Sequence, residues 1–210
     1  MPEKATIKRP AFLMLGAPGS GKGTQGKVLG AIPRFYHFAC GDVFRSLDTR
    51  SELGKRFLEY SSKGELVPDE LTMELWKDKI ERLVDAGLYK PDIDILVLDG
   101  IPRNGHQARM REEYLDIVQV FHLSCPNREE LVRRMRKRAL KDNRIDDAKE
   151  EVIRKRFETY EEETKPILDF YPDEIICELD AAQTPVKVFY DLIGRILELD
   201  VYKELSKIVV

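Results

Sequence analysis

The chain has little that would support a disulfide scaffold, a thiolate metal site or a membrane anchor. Its three cysteines, Cys40, Cys125 and Cys177, are odd in number and widely scattered, with no Cys-x-x-Cys pair. That pattern argues against a disulfide framework and against a structural zinc site, and the thiols read as reduced ones in a cytoplasmic protein. His37, His106 and His122 lack metal-ligand spacing and read as structural residues. No apolar run approaches the roughly 20 residues of a membrane span, and the polar segment from Met1 to Pro10 does not resemble a signal peptide, so neither leader nor membrane partner is expected. Net charge is also small: 35 Lys and Arg against 38 Asp and Glu leave −3, which points to no nucleic-acid polymer. Internal repeats, low-complexity tracts and Pro/Gly/Ser linkers are missing, so 210 residues that are 42% hydrophobic read as one compact domain.

Near the start, the apolar run Ala11-Phe12-Leu13-Met14-Leu15 leads directly into Gly16-Ala17-Pro18-Gly19-Ser20-Gly21-Lys22-Gly23-Thr24. A buried strand that ends in glycines, then a lysine, then a helix-forming stretch, builds a concavity of backbone N–H groups at a helix N-terminus. That concavity suits a polyphosphate, whose outer oxygens Lys22 can reach. Many such loops place a magnesium-ligating Ser or Thr directly after the lysine. Here Gly23 takes that position, and the hydroxyl arrives at Thr24.

Strands and helices alternate along the rest of the chain. A helix is expected from about Gly21 to Gly30, a short strand at 35–38, and strands at 93–98, 117–123 and 174–178, these three apolar and β-branched. Five strands linked by helical crossovers imply an α/β fold with a five-stranded parallel sheet covered on both faces. Gly41 to Gly64 reads as a helix-turn-helix-like stretch. Pro68 to Ala86 reads as an amphipathic helix with Leu71, Leu75, Trp76, Ile80 and Leu83 in the core, and Leu131 to Tyr171 as a long helical segment.

Several stretches converge on phosphate chemistry. Arg45 follows a turn at Gly41, and Asp99-Gly100-Ile101-Pro102-Arg103 leaves the third strand at its C-terminal end, where open α/β sheets bind ligands. An aspartate there suits water-mediated contact with magnesium, which takes few protein ligands directly. Arg134 and Arg138 lie four residues apart on one helical face, and Arg144, Asp146, Asp147 and Arg156 follow. Phosphoryl transfer relies on alignment and charge neutralisation, and guanidinium forks match phosphate oxygens.

These motifs resemble the adenylate kinases of the nucleoside-monophosphate kinase family, in their short-lid form, from about Phe12 to Ile196. The family's Gly-x-Pro-Gly-x-Gly-Lys-Gly-Thr loop stands unchanged at Gly16 to Thr24. Its Asp-Gly-Phe-Pro-Arg-x-x-x-Gln motif appears as Asp99-Gly100-Ile101-Pro102-Arg103-Asn104-Gly105-His106-Gln107. The resemblance implies a P-loop NTPase fold with an NMP-binding insertion at about 41–70 and a short lid at about 138–147. It also implies reversible magnesium-dependent conversion of ATP and AMP to two ADP, by a monomer. ATP would be held by Gly19, Ser20, Gly21, Lys22, Gly23, Thr24 and Arg134. AMP would be held by Cys40, Arg45, Glu65, Val67, Gly100, Arg103, Gln107, Arg144 and Arg156, with Gln107 against the adenine edge. Lys22, Arg103, Arg138, Arg144 and Arg156 would carry catalysis, with Asp99 reaching magnesium through water.

The chain departs from the pattern where Ala39-Cys40 replaces Ser-Thr, Ile101 replaces Phe and Ala139 replaces Gly, and one extra residue between Asp147 and Arg156 leaves Arg154 and Lys155 as competitors for the role of Arg156. A UMP/CMP kinase of the same fold is the nearest alternative, encouraged by Ala39-Cys40 and Asn104. A P-loop ATPase or switch protein, or a non-catalytic nucleotide-binding module, stands further off, and no Asn-Lys-x-Asp guanine motif occurs. The segment after Ile196 reads either as a terminal helix or as a partner-binding tail.

Overall fold

The computed structural model describes residues 8–111, 114–142 and 149–207. Strands β1 (Arg9–Gly16), β2 (Phe35–Ala39), β3 (Ile95–Asp99), β4 (Leu115–Ser124) and β5 (Ile176–Asp180) form one parallel sheet in the order β2-β3-β1-β4-β5. Its central strand is buried on both faces, which is why its sequence is apolar without alternation. Ala11, Leu13 and Leu15 enter one core with Trp76, Ile80 and Leu83 of helix α4 (Asp69–Asp85). Phe12 and Met14 enter the other with Val188, Leu192 and Ile196 of α8 (Pro185–Glu198).

The chain leaves β1, crosses to β2 beyond β3, and later returns to place β4 on the opposite side of β1. This reversal beside β1 opens a crevice at the C-terminal strand ends, the usual ligand site of such sheets. Register aligns its rim: Met14 pairs with Asp99, and Asp99 with Ala39.

Several boundaries differ from the sequence expectation. Ile93 and Asp94 belong to a turn on Lys90 O rather than to β3, and Glu174 and Ile175 to a 3₁₀ turn before β5. β-branched residues on the approach to a strand look like the strand itself. On α4 the buried stripe is Thr72, Met73, Trp76, Ile80 and Leu83. Leu71 and Leu75 are only partly covered, because they turn to a shallow groove shared with Leu53 of α3 (Glu52–Ser61). The 131–171 segment is not one helix. It contains α6 (Arg128–Lys141), α7 (Glu150–Thr159), a π-helical turn at 160–164 and a 3₁₀ helix at 165–170, where Pro166 withholds an N–H from the α ladder. The final segment is a docked helix, α9 (Asp200–Lys207), whose Tyr202 ring stacks on Phe35 at 5.8 Å.

Candidate active site

Beyond β1 the chain turns through Gly21, in the left-handed region at φ 103°, and α1 (Lys22–Leu29) begins at the lysine. Lys22 Nζ donates to Gly16 O at 2.5 Å and Ala17 O at 3.2 Å, so the ammonium closes the loop on its own carbonyls. Burial pulls its pKa down from 10.5 to about 8, with Arg138 and Arg103 adding to the effect and Asp99 opposing it.

Asp99 sits at the end of β3 beside this lysine. Burial pushes its carboxyl up, but His37, Lys22 and Arg103 outweigh that and hold it below the ordinary carboxylate value. A side chain at Gly23 would crowd Asp99 Oδ2 at 3.3 Å, a tight contact that glycine avoids. Sequence reasoning missed the neighbour on the other side: His37 Nε2 lies 3.5 Å from Asp99 Oδ2. The imidazole occupies a slot that glycine leaves open at Gly26 of α1, where any Cβ would collide with the ring, and a Cβ at Gly30, which caps the helix, would collide with His37 Cβ. Two glycines four residues apart on one helix face were the available signal.

On the other side of the crevice, helix α2 (Cys40–Arg45) starts where β2 ends, and buries Cys40 at its first position. Arg45 Nη2 donates to Asp42 Oδ1 at 2.5 Å. Arg103 Nε donates to Gly100 O at 2.9 Å, and its backbone carbonyl accepts from Thr164 Oγ1 at 2.8 Å, so the arginine is held from both ends. Gln107, on α5 (Gly105–Arg111), is 1% exposed, and its Oε1 accepts from Arg103 N at 2.9 Å. Asn104, which encouraged the pyrimidine reading, caps α5 by accepting from Gln107 N at 2.8 Å and donates to Asp69. His106 likewise meets Asp69.

The third wall comes from α6 and α7. Arg134 donates from Nε to Glu130 Oε1 and from Nη1 to Ala181 O, both at 2.8 Å, which fixes its guanidinium plane. Arg138 follows one turn later. Arg144, Asp146 and Asp147 lie outside the described residues. Of the three competing basic residues on α7, Arg156 lines the crevice, whereas Arg154 and Lys155 approach Glu158 at 3.8 and 3.9 Å. Gly19, Ser20, Gly21, Lys22, Gly23, Thr24, Cys40, Arg45, Glu65, Val67, Asp99, Gly100, Arg103, Gln107, Arg134, Arg138 and Arg156 all line one cleft of about 1080 Å³. Ser20 is buried within it, and its Oγ has no hydrogen-bond partner among the described residues.

A parallel α/β sheet with a phosphate loop at its reversal point, facing a wall of arginines, defines a P-loop phosphotransferase. The family model described as adenylate kinase matches residues 14–176. Similar proteins include an adenylate kinase of Thermobifida fusca, 36% identical over 83% of this chain and 91% of that protein, and one of Bifidobacterium longum, 40% identical over 76% and 84%. Adenylate kinase 1 of Schistosoma mansoni is 33% identical over 94% of this chain and 98% of its own length. The chain belongs to the adenylate kinase family, and is a nucleoside-monophosphate kinase.

Proposed function

We propose that the protein moves the γ-phosphoryl group of ATP to AMP, reversibly and with magnesium, in this one cleft. The observation that carries the reading is the opposition of a phosphate loop and a second set of phosphate-matching arginines across a single cavity. Loop amides, Lys22 and Arg134 would hold ATP. Arg45 and Arg103 would clamp the AMP phosphate, and Cys40, Glu65, Val67, Gly100 and Gln107 would enclose its nucleoside. The segment at about 41–70 then serves as the NMP-binding insertion and 138–147 as the short lid.

The acceptor is a phosphate oxygen that is already ionised, so no general base is needed. A new P–O bond forms to AMP as the bond to the β-phosphate oxygen breaks, and Lys22, Arg103, Arg138, Arg144 and Arg156 neutralise the charge that moves between them. Lys22 and Arg103 rest on nearby backbone carbonyls and Arg45 on the Asp42 carboxylate, contacts that a bound phosphate would take over. Magnesium fits the donor set: Thr24 and Asp99 offer hard oxygen donors, and the described residues contain no group of three or more His, Cys, Asp or Glu that could hold an ion, as suits a metal that keeps water and phosphate ligands. Thr24, and Asp99 through water, would hold it, and it would supply positive charge against the nucleotide phosphates. A cytoplasmic location belongs to the same reading; no described helix is long and apolar enough to cross a membrane, and Cys40, Cys125 and Cys177 are free thiols. Action as a monomer belongs to the same reading.

A coupled assay of AMP, UMP, CMP, GMP and dAMP with magnesium ATP tests this. AMP is expected to give the highest kcat/KM. Preference for UMP or CMP would replace the acceptor while keeping the reaction, and ATP hydrolysis unaffected by every monophosphate would favour the ATPase reading.

A further inference from the structure

Behind Gln107 lies a hydrogen-bond network that phosphate chemistry does not explain. Gln107 Nε2 donates to Asp69 Oδ1 at 2.7 Å, while Gln107 Oε1 accepts from Arg103 N at 2.9 Å. Asn104 Nδ2 donates to both Asp69 oxygens at 2.9 and 3.1 Å, and His106 Nδ1 stands 2.9 Å from Asp69 Oδ2. A backbone N–H can only donate and an ionised carboxylate can only accept, so the Gln107 amide has one permitted orientation. Turned over, it would set its oxygen against the carboxylate and its NH₂ against the N–H. At 1% exposure, water offers no compensation.

Each polar atom of Gln107 keeps one bonding position: a lone pair on Oε1 and a hydrogen on Nε2. Gln107 lines the cleft and Asp69 does not. The cleft is therefore offered an acceptor beside a donor. Adenine answers that pair with its 6-amino group and a ring nitrogen, as amide side chains do when they read adenine elsewhere. Hypoxanthine and guanine carry the reverse pattern at that edge, a 6-oxo acceptor beside an N1–H donor.

We propose that Asp69 is a positioning residue that sets purine selectivity, because it locks the Gln107 amide in the orientation that accepts 6-amino purine monophosphates and rejects 6-oxo ones. The inference rests on the reading of Gln107 as a contact to the acceptor base. Asn104 and His106 hold the carboxylate in place from its other side. Burial pushes the Asp69 carboxyl up, yet its hydrogen bonds from Asn104, Gln107 and His106 leave it below the ordinary value, and so ionised at neutral pH. A purely structural account also exists, since Asn104 and Gln107 resemble a capping box around the first turn of α5. That account predicts equal losses for every acceptor.

The test compares kcat/KM for AMP and IMP in the wild type and in Asp69→Asn. The substituted amide can donate to a reversed Gln107, so the AMP/IMP ratio should fall at least about tenfold, through a higher KM for AMP and a lower one for IMP, with kcat for AMP falling less than KM rises. Equal losses on both acceptors, or an unchanged ratio, overturn the proposal. If Asp69→Asn does not fold, the Asn104→Thr/His106→Ala double variant decides. It keeps a capping oxygen but frees the carboxylate, and should lower the ratio several-fold, about half the effect on a logarithmic scale; no change overturns the proposal. A wild type that prefers UMP or CMP to AMP sinks the acceptor reading, and this inference with it, before any substitution is made.

Discussion

The two ends of the cleft are built from different parts of the chain. At the phosphate loop the lining comes from nine consecutive residues, Gly16 to Thr24, and in the proposed reading backbone N–H groups and one lysine would hold the phosphates there. At the other end the lining side chains sit on separate elements, Cys40 on α2, Arg103 after β3 and Gln107 on α5, and Asp69, which accepts from Gln107, is 38 residues away in sequence. Phosphate is the same in every nucleotide and can be read by a fixed local geometry. A base is read by the direction in which one amide points, and that direction is set by residues that need not touch the ligand. The first kind of site tolerates almost no change, and here its motif is intact. At the second kind the family's Ser-Thr is exchanged for Ala39-Cys40, and Cys40 still lines the cleft.

If that contrast holds, the largest loss belongs to the loop. Lys22→Ala removes the buried ammonium that both ends of the reaction share, and turnover should drop at least about a hundredfold, since a positioned cation contributes several kcal/mol to a transition state. Normal turnover in this variant, measured by ADP formation, would break the assignment of the loop.

The state of that ammonium sharpens the contrast further, because burial brings its pKa down to about 8. In the empty protein Lys22 loses its proton around pH 8, whereas ATP phosphates are already ionised there and favour the charged lysine. Binding therefore takes up a proton above pH 8. Full affinity is present below about pH 8, and the KM for ATP should rise toward tenfold per pH unit above it until the bound lysine's own pKa is reached, while the KM for AMP changes less. The fold does not confound the reading. A lysine whose pKa is lower in the folded state releases its proton on folding, so this group makes the empty protein more stable, not less, between about pH 8 and 10.5. A KM for ATP that stays flat from pH 7 to 9.5 would show that the lysine is not so placed.

At the acceptor end the expected effects are smaller and concern choice rather than rate. Gln107→Ala should raise the KM for AMP and cut discrimination against UMP and CMP by about tenfold, because a site built around one base edge leaves its groups unpaired with another. An unchanged AMP/UMP ratio would remove Gln107 from base reading and leave it only the cap of α5.

What the sequence made legible follows the same division. β1 and its loop could be read because strand, glycines, lysine and helix are contiguous, and the five-stranded parallel sheet followed from spaced apolar runs. The arginines could be placed on strand ends and helix faces. The pairing of His37 with Asp99, and of Asp69 with Gln107, could not be read, because neither is visible until β2, β3 and α4 are brought side by side. Asn104 shows the cost of reading a residue type alone. It looked like a pyrimidine signal, and the structure uses it to cap α5 and to donate to Asp69. The docking of α9 through Tyr202 on Phe35 depended in the same way on a surface that only the folded sheet creates.

The smallest expected effect sits at the most conspicuous substitution. Cys40 is 4% exposed at the first position of α2 and faces the acceptor side, where the family pattern has threonine. A thiol is a weak hydrogen-bond donor and behaves as a small hydrophobe, so it contributes contact to a bound base but little polar discrimination. Threonine has a comparable volume and adds a hydroxyl, which at this depth is stabilising only if it finds a partner. A bound adenine supplies one; the empty cleft offers water. Cys40→Thr should therefore leave AMP use equal or better by no more than about threefold in kcat/KM, within the range of one modest hydrogen bond. Steady-state kinetics with AMP and with UMP check this. A loss of AMP use larger than threefold would mean that the thiol itself is needed at the base, and that this end of the cleft has been rebuilt around it.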